Sequence, residues 1–281
     1  MKKLLLSVSL LGGLLVGCSS DDNANSKDDN NGVEVIDGVT QPNEVIKFID
    51  SAEGERLGID YDEDIHEKGK SKLHYNSDGK LVSVLGDKGE VLVNIEYSNG
   101  DLMSVNVEEG DSFNILDVIA KQPFQFKNRV RINSFENGNV TSYTSYGFDD
   151  DNVLVEDEEV TIEYDGKPFF AFHTLNSTGA IDISKKTSVD IGAINGGALT
   201  GENTMNKFVP ANNPKTIKYV DLTNPKNVME LSIKYTYDND NYVTGGTFSQ
   251  IGVGEEYDYI AGKDIEVKTE ITGSFTITYK K

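Results

Sequence analysis

Residues 72–111 read KLHYNSDGKLVSVLGDKGEVLVNIEYSNGDLMSVNVEEGD. Leu73 and Tyr75 alternate with polar neighbours before Ser77-Asp78-Gly79. Val82 and Val84 follow, then Asp87-Lys88-Gly89. Val91, Val93, Ile95 and Tyr97 then recur with a period of two, and Met103, Val105 and Val107 do the same after Asn99-Gly100. A period of two places alternate side chains on opposite faces of a strand. Asn-Gly between two such runs supplies the two positive-φ residues that a tight hairpin needs. The stretch therefore predicts an antiparallel meander.

The same grammar recurs outward from it. Val130 and Ile132 alternate with Arg129 and Arg131 up to Phe135, and Glu136-Asn137-Gly138 turns the chain. Tyr143, Tyr146 and Phe148 follow, then Val160, Ile162 and Tyr164, with Asp165-Gly166 leading into Phe169-Phe170. Leu231, Ile233, Tyr235 and Tyr237 form another run, and Phe275, Ile277 and Tyr279 close the chain. The fold class expected is all-β: an antiparallel meander forming a curved sheet or barrel-like domain over residues 43–281, with one wet face and little helix. Ser112–Lys121 is the one helix candidate, capped by Ser112 and followed by Pro123. Residues 174–214 are rich in Gly, Asn, Thr and Ser and closed by Pro210 and Pro214; they read as a long insertion laid over the sheet. An aromatic followed by turn residues recurs at Tyr75, Tyr97, Phe135, Tyr164 and Tyr237, each expected to end a strand.

The N-terminus follows a different logic. Lys2 and Lys3 precede an apolar run from Leu4 to Val16. It is too short for a membrane-spanning helix, which needs about 20 residues, so residues 1–17 read as an export signal. The chain has a single cysteine, and it stands directly after that run. Leu15-Val16-Gly17-Cys18 resembles the lipobox of bacterial lipoproteins. That resemblance implies diacylglycerol on the Cys18 sulfur, cleavage before Cys18 and acylation of the new amine, with outer-membrane lipid as the partner. Two or more acyl chains anchor stably where one does not. Ser19-Ser20-Asp21-Asp22 resembles the acidic signal that sends some Bacteroidetes lipoproteins to the cell surface. Residues 18–42 also read as a disordered acidic tether, since their composition is too polar to form a core.

The formal net charge is −21 and the sequence pI about 4.4. Such a chain is expected to bind no nucleic acid, whose phosphates need Lys and Arg. With Cys18 acylated, no thiol remains for a disulfide, a thiolate metal site or a nucleophile.

With these residues in place, the chain resembles a group of uncharacterised Bacteroidetes lipoproteins with a porin-like β-sheet domain. The resemblance is carried by the lipobox, by Asn212-Asn213-Pro214-Lys215-Thr216-Ile217 leading into a strand, by Ile233 to Val243 (IKYTYDNDNYV) and by Phe275 to Tyr279. The family's tyrosine-rich segment is YTYDxDGYP-like; here Asn241 replaces its Gly and Val243 its Pro. It implies a fold and an envelope location, and no activity. A membrane-spanning barrel is not expected: such strands run about 9–11 residues with aromatic girdles, whereas these read as shorter, Trp is absent and the chain ends Tyr279-Lys280-Lys281.

No catalytic or metal constellation stands out. Asp60-Tyr61-Asp62-Glu63-Asp64 has the look of a calcium loop, but Ile65 and Ser71 stand where an EF-hand needs Gly and Glu. Asp149 to Asn152 and Asp238 to Asn241 miss that spacing too. His66, His74 and His173 show no metal spacing, and no GxSxG occurs. Paired carboxylates carry no signal in so acidic a chain. The candidate ligand-facing aromatics are Tyr257 and Tyr259 in GVGEEYDYIAG and Phe170 in the Phe169-Phe170-Phe172 cluster, with core packing as the alternative. No cofactor is expected. The function expected is a non-enzymatic, surface-exposed outer-membrane lipoprotein that binds or scaffolds an unknown envelope protein or glycan. Glycan or nutrient capture is the alternative, and hydrolysis the remaining one.

Overall fold

The computed structural model describes residues 43–60, 63–107, 129–148, 153–177, 210–258 and 262–280. The strands are β1 (Ile49–Asp60), β2 (Glu63–Tyr75), β3 (Leu81–Leu85), β4 (Val91–Ser98), β5 (Asp101–Val107) and β6 (Arg129–Glu136). They continue with β7 (Asn139–Phe148), β8 (Leu154–Pro168), β9 (Asn212–Asp221), β10 (Val228–Tyr237), β11 (Val243–Asp258) and β12 (Lys263–Tyr279). One short helix, α1 (Phe172–Asn176), sits between β8 and β9. All strands belong to one 12-stranded sheet in the order β5-β4-β3-β2-β1-β12-β11-β10-β9-β8-β7-β6. Every described pairing is antiparallel. The last strand returns to the first, from Ile49↔Tyr279 to Ile59↔Glu270. Among the described residues, β5 to β6 is the one step in chain order without a ladder. Those two strands are the edges, and the sheet is open.

The all-β expectation holds, and the turns form where their residues allow. Asn99 (φ 52°) and Gly100 (φ 91°) make the β4–β5 turn, and Asn137 (φ 51°) and Gly138 (φ 81°) the β6–β7 turn. Strand length is a correction. β1, β2, β8, β11 and β12 run 12, 13, 15, 16 and 17 residues, longer than expected. β1 was not anticipated, and β11 and β12 run straight through Gly252, Gly254 and Gly273. Those glycines do not end strands. A Cβ on Gly273 would overlap the Phe248 ring and the Glu55 carbonyl, and one on Gly246 would overlap the Phe275 ring. Phe248↔Gly273 and Gly246↔Phe275 are register partners, so each ring lies across the glycine opposite it.

The faces are chemically distinct. Along β12 the buried side is Val267, Thr269, Ile271, Phe275 and Ile277, and the exposed side Glu266, Lys268, Glu270, Thr272, Ser274 and Thr276. β2 shows Asp64, His66, Lys68, Lys70, Lys72 and His74 outward. A lipid-spanning strand needs the inverse, an apolar outer band. The charged outer faces of β2 and β12 differ from such a band, while Leu57 and Ile59 on β1 and Ile251 and Val253 on β11 are exposed apolar side chains. Buried side chains from strands at both ends of the order, Leu81 on β3 and Ile217 on β9 among them, join one core cluster, which the curvature encloses.

One end of that core is filled by chain. Phe169, Phe170, Phe172 and Leu175 are buried, and α1 packs into the core at this end; most of the expected insertion, residues 178–209, lies outside the described residues. Polar groups fix this plug. Asn213, fully buried, accepts from the Phe170 N–H (2.9 Å) and donates to the Pro168 carbonyl (3.1 Å). Thr174 Oγ1 accepts from the Ile49 N–H (3.0 Å), and His173 Nε2 lies 3.0 Å from the Asn43 carbonyl.

Three of the recurring aromatics, Tyr75, Tyr97 and Tyr164, share a task at this plug end with Tyr235 and Tyr279, whereas Tyr237 donates to Asp165 instead. Tyr75 on β2 donates its hydroxyl to the Ile49 carbonyl at the start of β1 (2.7 Å). Tyr97 on β4 reaches Leu81 on β3 (2.6 Å), and Tyr164 on β8 reaches Val140 on β7 (2.7 Å). Tyr235 on β10 reaches Pro214 on β9 (2.7 Å), and Tyr279 on β12 reaches Val243 on β11 (2.8 Å). Each even strand thus clasps the odd strand before it. The corresponding aromatic of β6 is Phe135, which has no hydroxyl, and β6 is the even strand with no paired predecessor.

Candidate functional site

The end opposite the plug holds a cluster built on β7, β8 and β9. Ser145, Glu158 and Asp221 are successive register partners, so their side chains share the inner face in one row. Tyr143, Val160 and Tyr219 form the next row inward. A bulge sits where Ser145↔Glu158 gives way to Tyr146↔Glu156, leaving Asp157 as the extra residue. The Asp157 carboxyl lies beside Gly147, where a Cβ would be 3.1 Å from it. The bulge therefore brings a third acid to the row.

Ser145 is 8% exposed and its hydroxyl has no hydrogen-bond partner. The preceding Thr144 faces the other way and accepts from Asn133 Nδ2 at 2.8 Å. Burial raises the Glu158 carboxyl above its ordinary value, and the negative charges of Asp157 and Asp221 raise it further. Asp221 behaves oppositely. Burial alone would raise it, but Thr223, Asn224 and Asn227 donate to it and hold it below the usual carboxylate range. Both its oxygens are engaged: Oδ1 by the Thr223 N–H (2.7 Å) and the Asn224 N–H (2.8 Å), Oδ2 by Asn227 Nδ2 (3.0 Å). Burial pushes the Tyr143 and Tyr219 phenols up, with nearby Glu158 adding to the effect on both. Among the described residues no three His, Cys, Asp or Glu side chains gather in metal-binding geometry. The row can accept hydrogen bonds and attract positive charge.

A concavity of about 340 Å³ lies on the outer face over Glu53, Glu55, Lys68, Lys70 and Asp87. Its charges answer one another, Lys68 to Glu55 at 2.7 Å and Lys70 to Glu53 at 3.0 Å.

Of the residues singled out from sequence, Cys18, Ser19, Ser20, Asp21, Asp22 and Tyr259 lie outside the described residues, as do the Ser112–Lys121 helix candidate and Asp149 to Asn152. Tyr257 is on β11 opposite Asp264. Phe170 takes the core-packing alternative and not the ligand-facing one: at 0% exposed it belongs to the plug, its ring meeting Phe169 at 5.4 Å. Asp60 accepts from Thr269 Oγ1 (2.9 Å), and Asp238 and Asp240 both pair with Lys47 (2.7 and 2.6 Å). His66 and His74 face outward on β2, whereas His173 is buried in the plug. Sequence reading missed Ser145 and the Asp157-Glu158-Asp221 set. The available signal was the run Glu156-Asp157-Glu158-Glu159, four successive acids that break a period of two inside a strand.

No family model matches the chain, and no curated protein matches it. Among solved structures it is similar to a porin-like protein from Bacteroides uniformis, at 12% identity and a TM-score of 0.29, covering 83% of this chain and 96% of that one. At that score the likeness carries no inference for this chain.

Proposed function

We propose that the chain is a lipid-anchored protein of the bacterial outer membrane, displayed at the cell surface, whose curved sheet binds a partner or ligand without catalysing a reaction. The observation that carries this reading is Leu15-Val16-Gly17-Cys18 at the end of a short apolar run, which joins the one thiol to a leader of export type. The charged outer faces of β2 and β12 support a domain that stands in water and takes its membrane affinity from acyl chains. The tether between Cys18 and the sheet supplies reach.

Metabolic labelling with an alkyne palmitate tests the anchor. The full chain is expected to take up label, and Cys18→Ser to lose it and leave the membrane fraction. Label on Cys18→Ser, or none on the natural chain, would overturn the reading.

A further inference from the structure

We infer that the inner face of β7, β8 and β9 at the end opposite the plug recognises a primary alkylammonium group. This names the ligand class for the binding role proposed above and rests on it. Three carboxyl side chains, from Asp157, Glu158 and Asp221, are brought together there by the bulge and the register. Negative charge collected on a partly buried surface is stabilised by a cation.

The kind of cation follows from the acceptors. Hard divalent ions take six or more oxygen ligands, but both Asp221 oxygens already accept from the β9–β10 turn. Among the described residues no three acidic side chains gather in metal-binding geometry. An alkylammonium has three N–H donors and no acceptor, so it needs only a carboxylate and one or two neutral oxygens. Glu158 supplies the carboxylate. Ser145, more than nine-tenths buried with an unpartnered hydroxyl in register with Glu158, supplies an oxygen. A neutral sugar would satisfy the hydroxyl and leave the excess charge unanswered. The raised Glu158 carboxyl agrees with a site short of one positive charge.

The ammonium could come from a free amine or from a lysine of a partner protein. Calorimetry on the full chain in detergent separates them, with butylammonium and Nα-acetyl-lysine amide as probes. Tetramethylammonium, which has no N–H, and calcium serve as comparisons. Saturable binding of butylammonium is expected, weakened at least tenfold by Glu158→Gln and severalfold by Ser145→Ala. Tetramethylammonium should bind at least tenfold more weakly. Tighter binding of the lysine probe would point to a partner protein, and tighter binding of butylammonium to a small amine; either supports the site. Absence of saturable binding, equal binding by both variants, or preference for calcium or tetramethylammonium would overturn it. Ser145→Ala removes one oxygen and decides the matter even where Glu158→Gln folds poorly. The anchor plays no part in this measurement, so its failure would leave the labelling result standing, and the reverse.

Discussion

At the scale of single residues the fold rests on hydroxyls and glycines. Each clasping tyrosine joins a strand end to a carbonyl at the start of the neighbouring strand. Tyr164→Phe removes the bond to Val140 and keeps the ring, so a loss of about 1 kcal/mol is expected, read as a lower urea midpoint with unchanged slope. An unchanged midpoint would mean the clasp contributes nothing net. Gly273→Ala forces a methyl into the Phe248 ring and the Glu55 carbonyl, and overpacking of this kind costs about 1–3 kcal/mol. Glu158 has the opposite sign. Its carboxyl binds a proton more tightly folded than unfolded, so stability falls as pH rises from the ordinary carboxylate value to the raised folded value, and stays lowered above it. Glu158→Gln is therefore expected to melt higher than the natural chain at about pH 8, with the difference gone near pH 4. A variant that melts lower at about pH 8 would show that Glu158 is not held against its own charge. Unliganded stability is then traded for the negative site.

At the scale of elements, the plug and the long strands show what was legible in the sequence. Turns were legible because positive φ demands Asn or Gly, and Asn99-Gly100 and Asn137-Gly138 stand where expected. Strand ends at Tyr75 and Tyr97 were legible for the same reason. The clasps were not, since each acceptor is a carbonyl, common to every residue, between 16 and 36 positions away. β11 and β12 run through Gly252, Gly254 and Gly273, and the Phe248 ring across Gly273 shows one reason glycine stands within a strand. The three phenylalanines of the plug were legible as apolar, but nothing local says that a loop between paired strands will turn inward. The candidate site was hidden by abundance, because Glu158 is one acid among 47. Asn213 is the element's most exacting contact. Asn213→Ala leaves the Phe170 N–H and the Pro168 carbonyl buried without it, and a loss of about 1–3 kcal/mol is expected in the same urea assay. Asn213→Asp, which keeps an acceptor for Phe170, should retain part of that stability.

At the scale of the whole molecule, chain order and sheet order coincide except between β5 and β6, and the terminal strands meet in the middle of the sheet. β12 is paired on both sides from Glu270 to Thr276, whereas β5 and β6 each have one partner among the described residues. Hydrogen exchange is expected to be slowest at the centre of β12 and fastest at the two edges. Equal protection of β5 and β6 with β12 would mean that those edges pair with one another or with a partner in solution. The chain enters β1 and leaves β12 at the plug end, and the acidic row lies at the other. Under the anchoring proposed at Cys18, this arrangement would suit a protein that meets its ligand away from the membrane. Protease treatment of intact cells bearing the full chain, followed by detection of the β domain, tests that display directly, with a periplasmic protein as the control for integrity. The domain is expected to be lost while the periplasmic control survives; protection of the domain until the cells are lysed would contradict surface display.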